Sequence, residues 1–368
     1  MLYIPMFKGR AVEQQVIKSN NQCFSAQMIP LVEIMKDHFR QTEFATDPIT
    51  GEYIKKTVGK RQQRYRVEPT EEDRDTLEYY KELFRGKKVF IDFFRFTTDV
   101  YGTRINANAL DLSIRLTRNE ALYYERLCEL EEFENLIPVL SIKKNFFPRS
   151  FSATDFIEKL QKGNAQIAVR LDDDAYEEFA AVLADALREN DYIMFDIGEQ
   201  HPIAKEIEIE EFNNLPTLAT KIVLNSPRKR NVKNGEYENG KYTELIDNSA
   251  RNVKHLYKNV AGYGDYCGMK DNLPGNQIIT RGCALALFYG YSSNKFKAYV
   301  NTDSEAGVSG FLALIPQILA DAKELDPDDT CGAIRYIKEL STRGKSGNFC
   351  TWNGLIITRC IEQVHRNI

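Results

Sequence analysis

Eight short apolar runs each end in a polar residue, segments of helical periodicity separate them, and no GxGxxG turn occurs anywhere. Together these features predict an α/β fold. Strands alternating with helices imply βαβ units, and eight runs suggest a (β/α)8 barrel. A doubly wound open sheet is the alternative, but it would usually carry a glycine-rich first turn. The runs lie at 28–33, 89–92, 136–141, 165–170, 192–196, 221–225, 259–265 and 296–301. Their length and β-branched content suit strands buried on both faces.

The elements follow in order. Leu2 and Ile4 pair into the sheet, either closing the barrel bottom or beginning its first strand. After the first run comes a polar insertion, 35–87. Its centre, 55–66, reads as a basic β-hairpin turning at Gly59. Residues 108–133 place Leu110, Ile114, Leu116, Ala121, Leu122 and Leu127 at three- and four-residue spacing, which is helical. Helices are also expected at 153–162 (Phe156, Ile157 and Leu160 on one face) and at 173–189. Residues 227–243 form a second polar loop. The segments 284–291 and 296–301 flank a polar turn and read as a β-hairpin, so the eighth run is as readily antiparallel as a barrel strand. Helical stretches at 305–323, 331–340 and 347–365 close the chain. No repeat or linker interrupts it. The reading is a single domain, 1–368, with 35–87 inserted and 284–368 packed on the barrel as a hairpin plus helices.

The chain has 368 residues, a formal net charge of −4, 43% hydrophobic and 28% charged residues. A chain of this size buries about three-quarters of its open-chain surface. Global disorder is excluded, and so is a generic, basic DNA-coating protein. No apolar run is long enough to cross a bilayer. The apolar start precedes its basic residues, the reverse of a signal peptide, so a cytoplasmic location and no membrane partner are expected. Cys23, Cys128, Cys267, Cys283, Cys331, Cys350 and Cys360 contain no CxxC, and His38, His201, His255 and His365 form no HExxH. A disulfide framework and a zinc knuckle are not expected.

In parallel α/β folds the functional face lies at the carboxyl ends of the strands. A barrel would bring Glu33, Asp92, Asp196, Glu199 and Asp265 to one mouth as an acidic ring, with Lys143, Arg170 and Arg228 as counter-charges. Glu33, Asp92, Asp196 and Asp265 are the catalytic candidates. Asp196, Glu199 and Asp265 are the candidate metal ligands, and such oxygen donors suit Mg²⁺. With a bound divalent ion they would support hydrolysis of a phosphate ester. Lys8, Arg10, Lys143, Arg170, Asn225 and Arg228 are the candidate ligand-binding residues. Paired carboxylates also suit glycoside hydrolysis, and Asp, Asn and Ser at strand ends also cap helices. His201, next to Asp196 and Glu199, suits a base or ligand, or an ordinary loop position before Pro202. Arg228, Lys229, Arg230 and Lys233, and the bases of 55–66 with Tyr53 and Tyr65, suit nucleic acid backbone or a solvated charged loop. There is no GxSxG and no P-loop. Cys267 has no histidine fixed beside it in sequence.

Tyr3-Ile4-Pro5, Lys8-Gly9-Arg10, Glu13 and Ile29-Pro30-Leu31-Val32-Glu33 resemble the beta protein family of bacteria and phages. The Asp92 strand, Gly264-Asp265-Tyr266 and the Trp352 helix are similar to it as well. The resemblance spans nearly the whole chain, while 35–87 departs from the family's compact pattern. It implies a TIM-barrel-like fold and no established reaction. Some members appear beside nuclease-like genes in anti-phage loci, which implies a defence role with a protein partner encoded nearby. Lys8, Arg10, Glu13, Glu33, Asp92 and Asp265 are the matching surface. Three functions are therefore expected from this sequence. The first is a defence component whose mouth binds a phosphorylated or nucleic acid ligand and which acts with a nuclease-like partner. The second is a metal-dependent phosphodiesterase or related hydrolase. The third is a non-catalytic structural or partner-binding subunit.

Overall fold

The protein is described by a computed structural model covering residues 1–59, 61–103, 105–150, 152–247, 251–252, 256–274 and 282–368. Lys60 and His255 lie outside the described residues. The strands are β1 (Leu2–Phe7), β2 (Leu31–Ile34), β3 (Lys55–Val58), β4 (Arg61–Arg64), β5 (Val89–Phe93), β6 (Leu136–Ile142), β7 (Ala168–Asp172), β8 (Tyr192–Asp196), β9 (Thr220–Leu224), β10 (Tyr242–Asp247), β11 (Val260–Asp265), β12 (Ala284–Gly290) and β13 (Lys295–Asn301). A closed barrel runs β1-β11-β9-β8-β7-β6-β5-β2. Every neighbouring pair is parallel. Closure removes the sheet edges and with them the doubly wound alternative.

The first seven predicted runs supply barrel strands. The eighth, 296–301, does not. β1 pairs with both β2 and β11 and so takes the last place in the ring. Residues 296–301 lie instead in β13, antiparallel to β12. β10 joins the other edge of β13, so this outer sheet draws on residues well before 284.

Helices α1 (Ala11–Ser19), α2 (Thr76–Leu83), α3 (Thr98–Tyr101), α4 (Asp111–Arg118), α5 (Glu120–Cys128), α6 (Ala153–Gly163), α7 (Asp173–Ala186) and α8 (Glu206–Asn214) lie between the barrel strands. The helical pattern expected over 108–133 divides at Asn119, whose side chain accepts a hydrogen bond from the Leu122 N–H at 3.1 Å and caps α5. After β13 come α9 (Gly310–Ala320), α10 (Ala322–Leu325), α11 (Gly332–Thr342) and α12 (Phe349–His365). Phe311 and Trp352 stack there at 4.7 Å within a separate apolar cluster that includes Phe288 and Tyr299. No helix among the described residues is long and apolar enough to cross a membrane.

Side chains alternate along each barrel strand with period two. Ile4, Met6, Leu31, Phe90, Val139, Ala168, Met194, Ile222 and Leu224 fill the barrel interior. Their neighbours Tyr3, Phe7, Val32, Ile91, Leu140, Val169, Ile193, Val223 and Tyr263 pack outward among the helices. β11 presents Gly262 and Gly264 where other strands present side chains. A Cβ on Gly264 would stand 2.6 Å from the Ile4 carbonyl oxygen and from Leu224 Cδ2. We predict that Gly264→Ala lowers stability by about 1–3 kcal/mol through overpacking. An unchanged urea midpoint would show that β11 has room to shift.

Candidate functional site

The period that fills the barrel interior continues upward into a polar layer. Lys8 stands two residues beyond Met6, Glu33 beyond Leu31, Asp92 beyond Phe90, Arg170 beyond Ala168 and Asp196 beyond Met194. All five therefore point inward at the carboxyl end of the barrel. Arg170 lies at the centre. Its Nη1 donates to Glu33 Oε1 and to Asp92 Oδ2, each at 2.8 Å. Its Nη2 and Nε donate to Asp196 Oδ2 at 2.6 and 3.0 Å. Lys8 Nζ reaches Glu33 Oε2 at 2.5 Å and Asp271 Oδ1 at 2.7 Å, and it lies 4.1 Å from the Phe94 ring centroid. Tyr266 donates its hydroxyl to Glu33 Oε1 at 2.9 Å. Ser141 donates its own to Asp92 Oδ2 at 2.8 Å.

These contacts set the charges. Burial pushes the Glu33 carboxyl upward, but Lys8 and Arg170 outweigh it and hold the pKa down at about 2. Burial, Asp271 and Glu33 together push the Tyr266 phenol well up, so it stays a hydrogen-bond donor. Burial likewise raises Tyr101, which donates to Asp271 Oδ2 at 2.9 Å.

Above this layer is a cavity of about 180 Å³. Its walls include Phe94, Phe96, Tyr101 and Phe146, and its polar lining includes Lys143, Arg170, Asp196, Ser226, Arg230 and Asp271. Lys143 differs from the other cations here. It is half-buried, and its ammonium makes no ion pair or hydrogen bond among the described residues. Its ammonium instead lies 4.4 Å from the Phe94 ring centroid. Burial pushes its pKa down to about 8, with Arg170 and Arg95 adding to the fall and Asp92 and Glu33 opposing it. Arg95 also lines the cavity and is anchored there, donating to the Ser141 carbonyl at 2.8 Å with its guanidinium 3.6 Å from the Tyr123 ring centroid.

Of the remaining predicted residues, Glu199 lines this cavity and the others are placed elsewhere. Asp265 follows Tyr263 in the outward register and so faces away from the mouth. Its Oδ1 accepts from the Tyr3 hydroxyl at 3.0 Å and from the Cys267 N–H at 2.6 Å. Asp265, Cys267 and Cys360 form a buried group whose ligand atoms lie within 4.8 Å of one another, between the barrel and α12. Burial, Cys360 and Asp265 push the Cys267 thiol well up, which suits neither a nucleophile nor a thiolate ligand. Asn225, also in the outward register, donates to the Gly198 and Gln200 carbonyls at 2.8 Å and holds the loop after β8. Arg228 is buried and donates to the Gly268 carbonyl and to Asn234 Oδ1 at 3.1 and 3.0 Å. Arg10 pairs with Glu13 at 3.6 Å and donates to the Asn272 carbonyl, beside the mouth rather than in it. Glu199 is held by Arg230, through its N–H at 2.7 Å and its Nε at 3.2 Å. His201 caps the turn Pro202–Lys205, its Nδ1 accepting from the Ile203 N–H at 3.2 Å.

The set Asp196, Glu199 and Asp265 is thus not assembled as metal ligands. Among the described residues, the potential metal-binding group is Asp265, Cys267 and Cys360. Glu33, Asp92 and Asp196 do converge, but around the guanidinium of Arg170. The cation that such a cluster calls for is supplied by the chain itself.

The family model described as Beta protein matches residues 3–364. The chain belongs to the beta protein family. No curated protein matches it. No solved structure matches it either. The matching motif residues Lys8, Glu33 and Asp92 of this beta protein family member share the inward polar layer, whereas Arg10, Glu13 and Asp265 do not.

Tyr266, Ser226, Arg230, Tyr101 and Asp271 complete the mouth; of these Arg230 was singled out in the sequence as part of a basic loop, and Tyr266 within the Gly264-Asp265-Tyr266 motif. The first two were legible from period two, since Tyr266 follows Gly262 and Gly264, and Ser226 follows Ile222 and Leu224. Arg230 and Asp271 come from loops and Tyr101 from the short helix α3, where the strand period does not apply.

Two outcomes test this network. Arg170→Met leaves three carboxylates without their common partner and is expected to cost about 3–5 kcal/mol of stability. The lowered pKa of Glu33 contributes stability above the unfolded carboxyl value of about 4.3, lost as pH falls toward 2. Urea titrations between pH 7 and 2 should show that loss in the wild type and a shallower one in Glu33→Gln. Equal acid limbs would remove Glu33 from the account.

Proposed function

We propose that the barrel mouth binds a phosphorylated ligand, a nucleotide or the end of a nucleic acid strand, in a component of bacterial anti-phage defence that acts with a protein partner. The observation that carries the ligand class is Lys143. The other cations of the polar layer are neutralised by carboxylates, while this ammonium faces the cavity against an aromatic ring. A phosphate would supply the missing charge. The aromatic walls suit a planar base. Family membership supports the defence role and the partner. The hydrolase reading draws less support, because Arg170 and Lys8 already engage the carboxylates it needs.

Nucleotide titration by calorimetry tests the pocket. Lys143→Ala is expected to weaken binding at least tenfold at pH 7. The wild type should bind best below pH 8, where Lys143 carries its proton, and lose about tenfold in affinity between pH 7 and 9 as that proton leaves. A phosphate monoester stays largely dianionic across that range, its second pKa being about 6. Lys143→Arg should flatten the pH profile, because a guanidinium stays charged. A wild-type profile that does not change with pH counts against Lys143 as the anchor. For the defence role, phage plating on cells carrying the native gene with its neighbours should show protection that Lys143→Ala abolishes. Absence of protection by the wild type removes that role and leaves the pocket standing.

A further inference from the structure

The insertion after β2 carries a charged surface that the mouth does not use. No Asp or Glu occurs between Tyr53 and Arg66, and this stretch holds Lys55, Lys56, Lys60, Arg61, Arg64 and Arg66 on a chain whose net charge is −4. The five of these among the described residues, Lys55, Lys56, Arg61, Arg64 and Arg66, are exposed and make no ion pair there. β3 and β4 pair antiparallel with Lys55 directly opposite Arg64. Like charges opposite each other oppose strand pairing, and elsewhere in sheets a neighbouring carboxylate commonly relieves them. Here nothing within the stretch does. The turn is made by Gly59 at φ +62°, a conformation that favours glycine.

The aromatic rings of this ribbon are already engaged. Lys56 Nζ lies 3.4 Å from the Tyr65 ring centroid, the Arg64 guanidinium 4.3 Å from that of Tyr53, and the Arg66 guanidinium 4.4 Å from that of Phe44. These contacts fix where the cations sit and cover ring faces that would otherwise stack on unpaired bases. Charge is then the ribbon's main means of recognition, which favours a duplex backbone over a single strand.

We infer that the β3–β4 ribbon is a docking site for double-stranded DNA. A two-stranded ribbon fits a major groove about 12 Å wide. The ribbon's cations meet phosphates along the groove, and Gln62 and Gln63 lie beside them on β4. The insertion leaves β2 at its carboxyl end and returns to the amino end of β5. The site does not depend on the mouth's ligand.

The test uses a DNA duplex closed by loops at both ends, so that no strand end can enter the mouth. Binding is followed by fluorescence anisotropy over a series of salt concentrations. The wild type should bind at low salt, with log K falling linearly against log salt. Replacing both Lys55 and Arg64 by Ala should weaken binding at least tenfold at low salt and make the slope shallower by about 1.8, two phosphate contacts' worth. The charge-preserving exchange Lys55→Arg with Arg64→Lys should keep the wild-type slope, which separates charge from folding. Nucleotide binding at the mouth should be unchanged in both variants. Failure of the wild type to bind, an unchanged slope in the double alanine variant, or binding of single-stranded DNA or an acidic polypeptide in place of the duplex would each overturn the proposal.

Discussion

The guanidinium of Arg170 is the interaction on which the top of the barrel depends. Three carboxylates, from β2, β5 and β8, have been taken largely out of water around it. An isolated buried ion costs several kcal/mol, so each of the three is tolerable only because the same planar fork reaches all of them. A lysine could not do this, since it offers a point charge instead of a fork. The arrangement cross-links four parallel strands at the level where apolar filling ends. Lys8 extends it to β1, and Tyr266 to the end of β11. The barrel is thus closed twice, by backbone pairing around its wall and by charge across its mouth.

Most of the barrel was legible because parallel strands buried on both faces are short, apolar and β-branched, and such runs stand out from a polar background. The closing strand stayed open for a physical reason. Residues 2–7 and 296–301 both read as short strands, and only pairing decides which closes the ring. The site was legible to the extent that strand register was. Glu33, Asp92, Arg170 and Asp196 sit in step with an inward residue two positions earlier. Asp265 ends its run as they do but is out of step, because Gly262 and Gly264 mark the inward register by having no side chain. Residue type at a strand end was a good guide to polarity and a poor guide to direction. Loop contributions such as Arg230 and Asp271 follow from chain folding beyond the strands, which no local pattern records.

The distribution of charge separates structural groups from binding groups. The cations of the polar layer, Lys8 and Arg170, are each paired with carboxylates, so the layer forms a cross-linked floor. Lys143 stands above that floor at the next inward step of β6, beyond Val139 and Ser141, where neutralisation stops. A cation in this position keeps its proton at neutral pH but gives it up within reach of physiological conditions. The low pKa comes from burial, which the nearby Asp92 and Glu33 oppose without outweighing it, and no carboxylate makes direct contact with the ammonium. An arriving anion supplies that contact.

The C-terminal layer contributes no side chain to the lining of the mouth, yet it bears on the site through β1. Tyr3, whose hydroxyl bonds to Asp265, also approaches Cys267 Sγ at 3.3 Å and Cys360 Sγ at 3.6 Å. Cys360 belongs to α12, so this buried knot joins the last helix to the first strand. α12 also packs on α1, where a Cβ on Gly354 would meet Val12 at 3.3 Å and Asn20 donates to Thr358 at 3.4 Å. On the β2 side β1 is in register through Met6 and Phe7, with Tyr3 bridging to Met28 just before β2, and on the other side Leu2 to Pro5 pair with β11. Outer packing adds to this pairing in fixing where β1 sits along the barrel. Lys8 is the residue that follows β1, and its reach to Glu33 and Asp271 depends on that setting. The tail of the chain thus acts on the mouth from outside, by helping to fix the strand from which Lys8 extends.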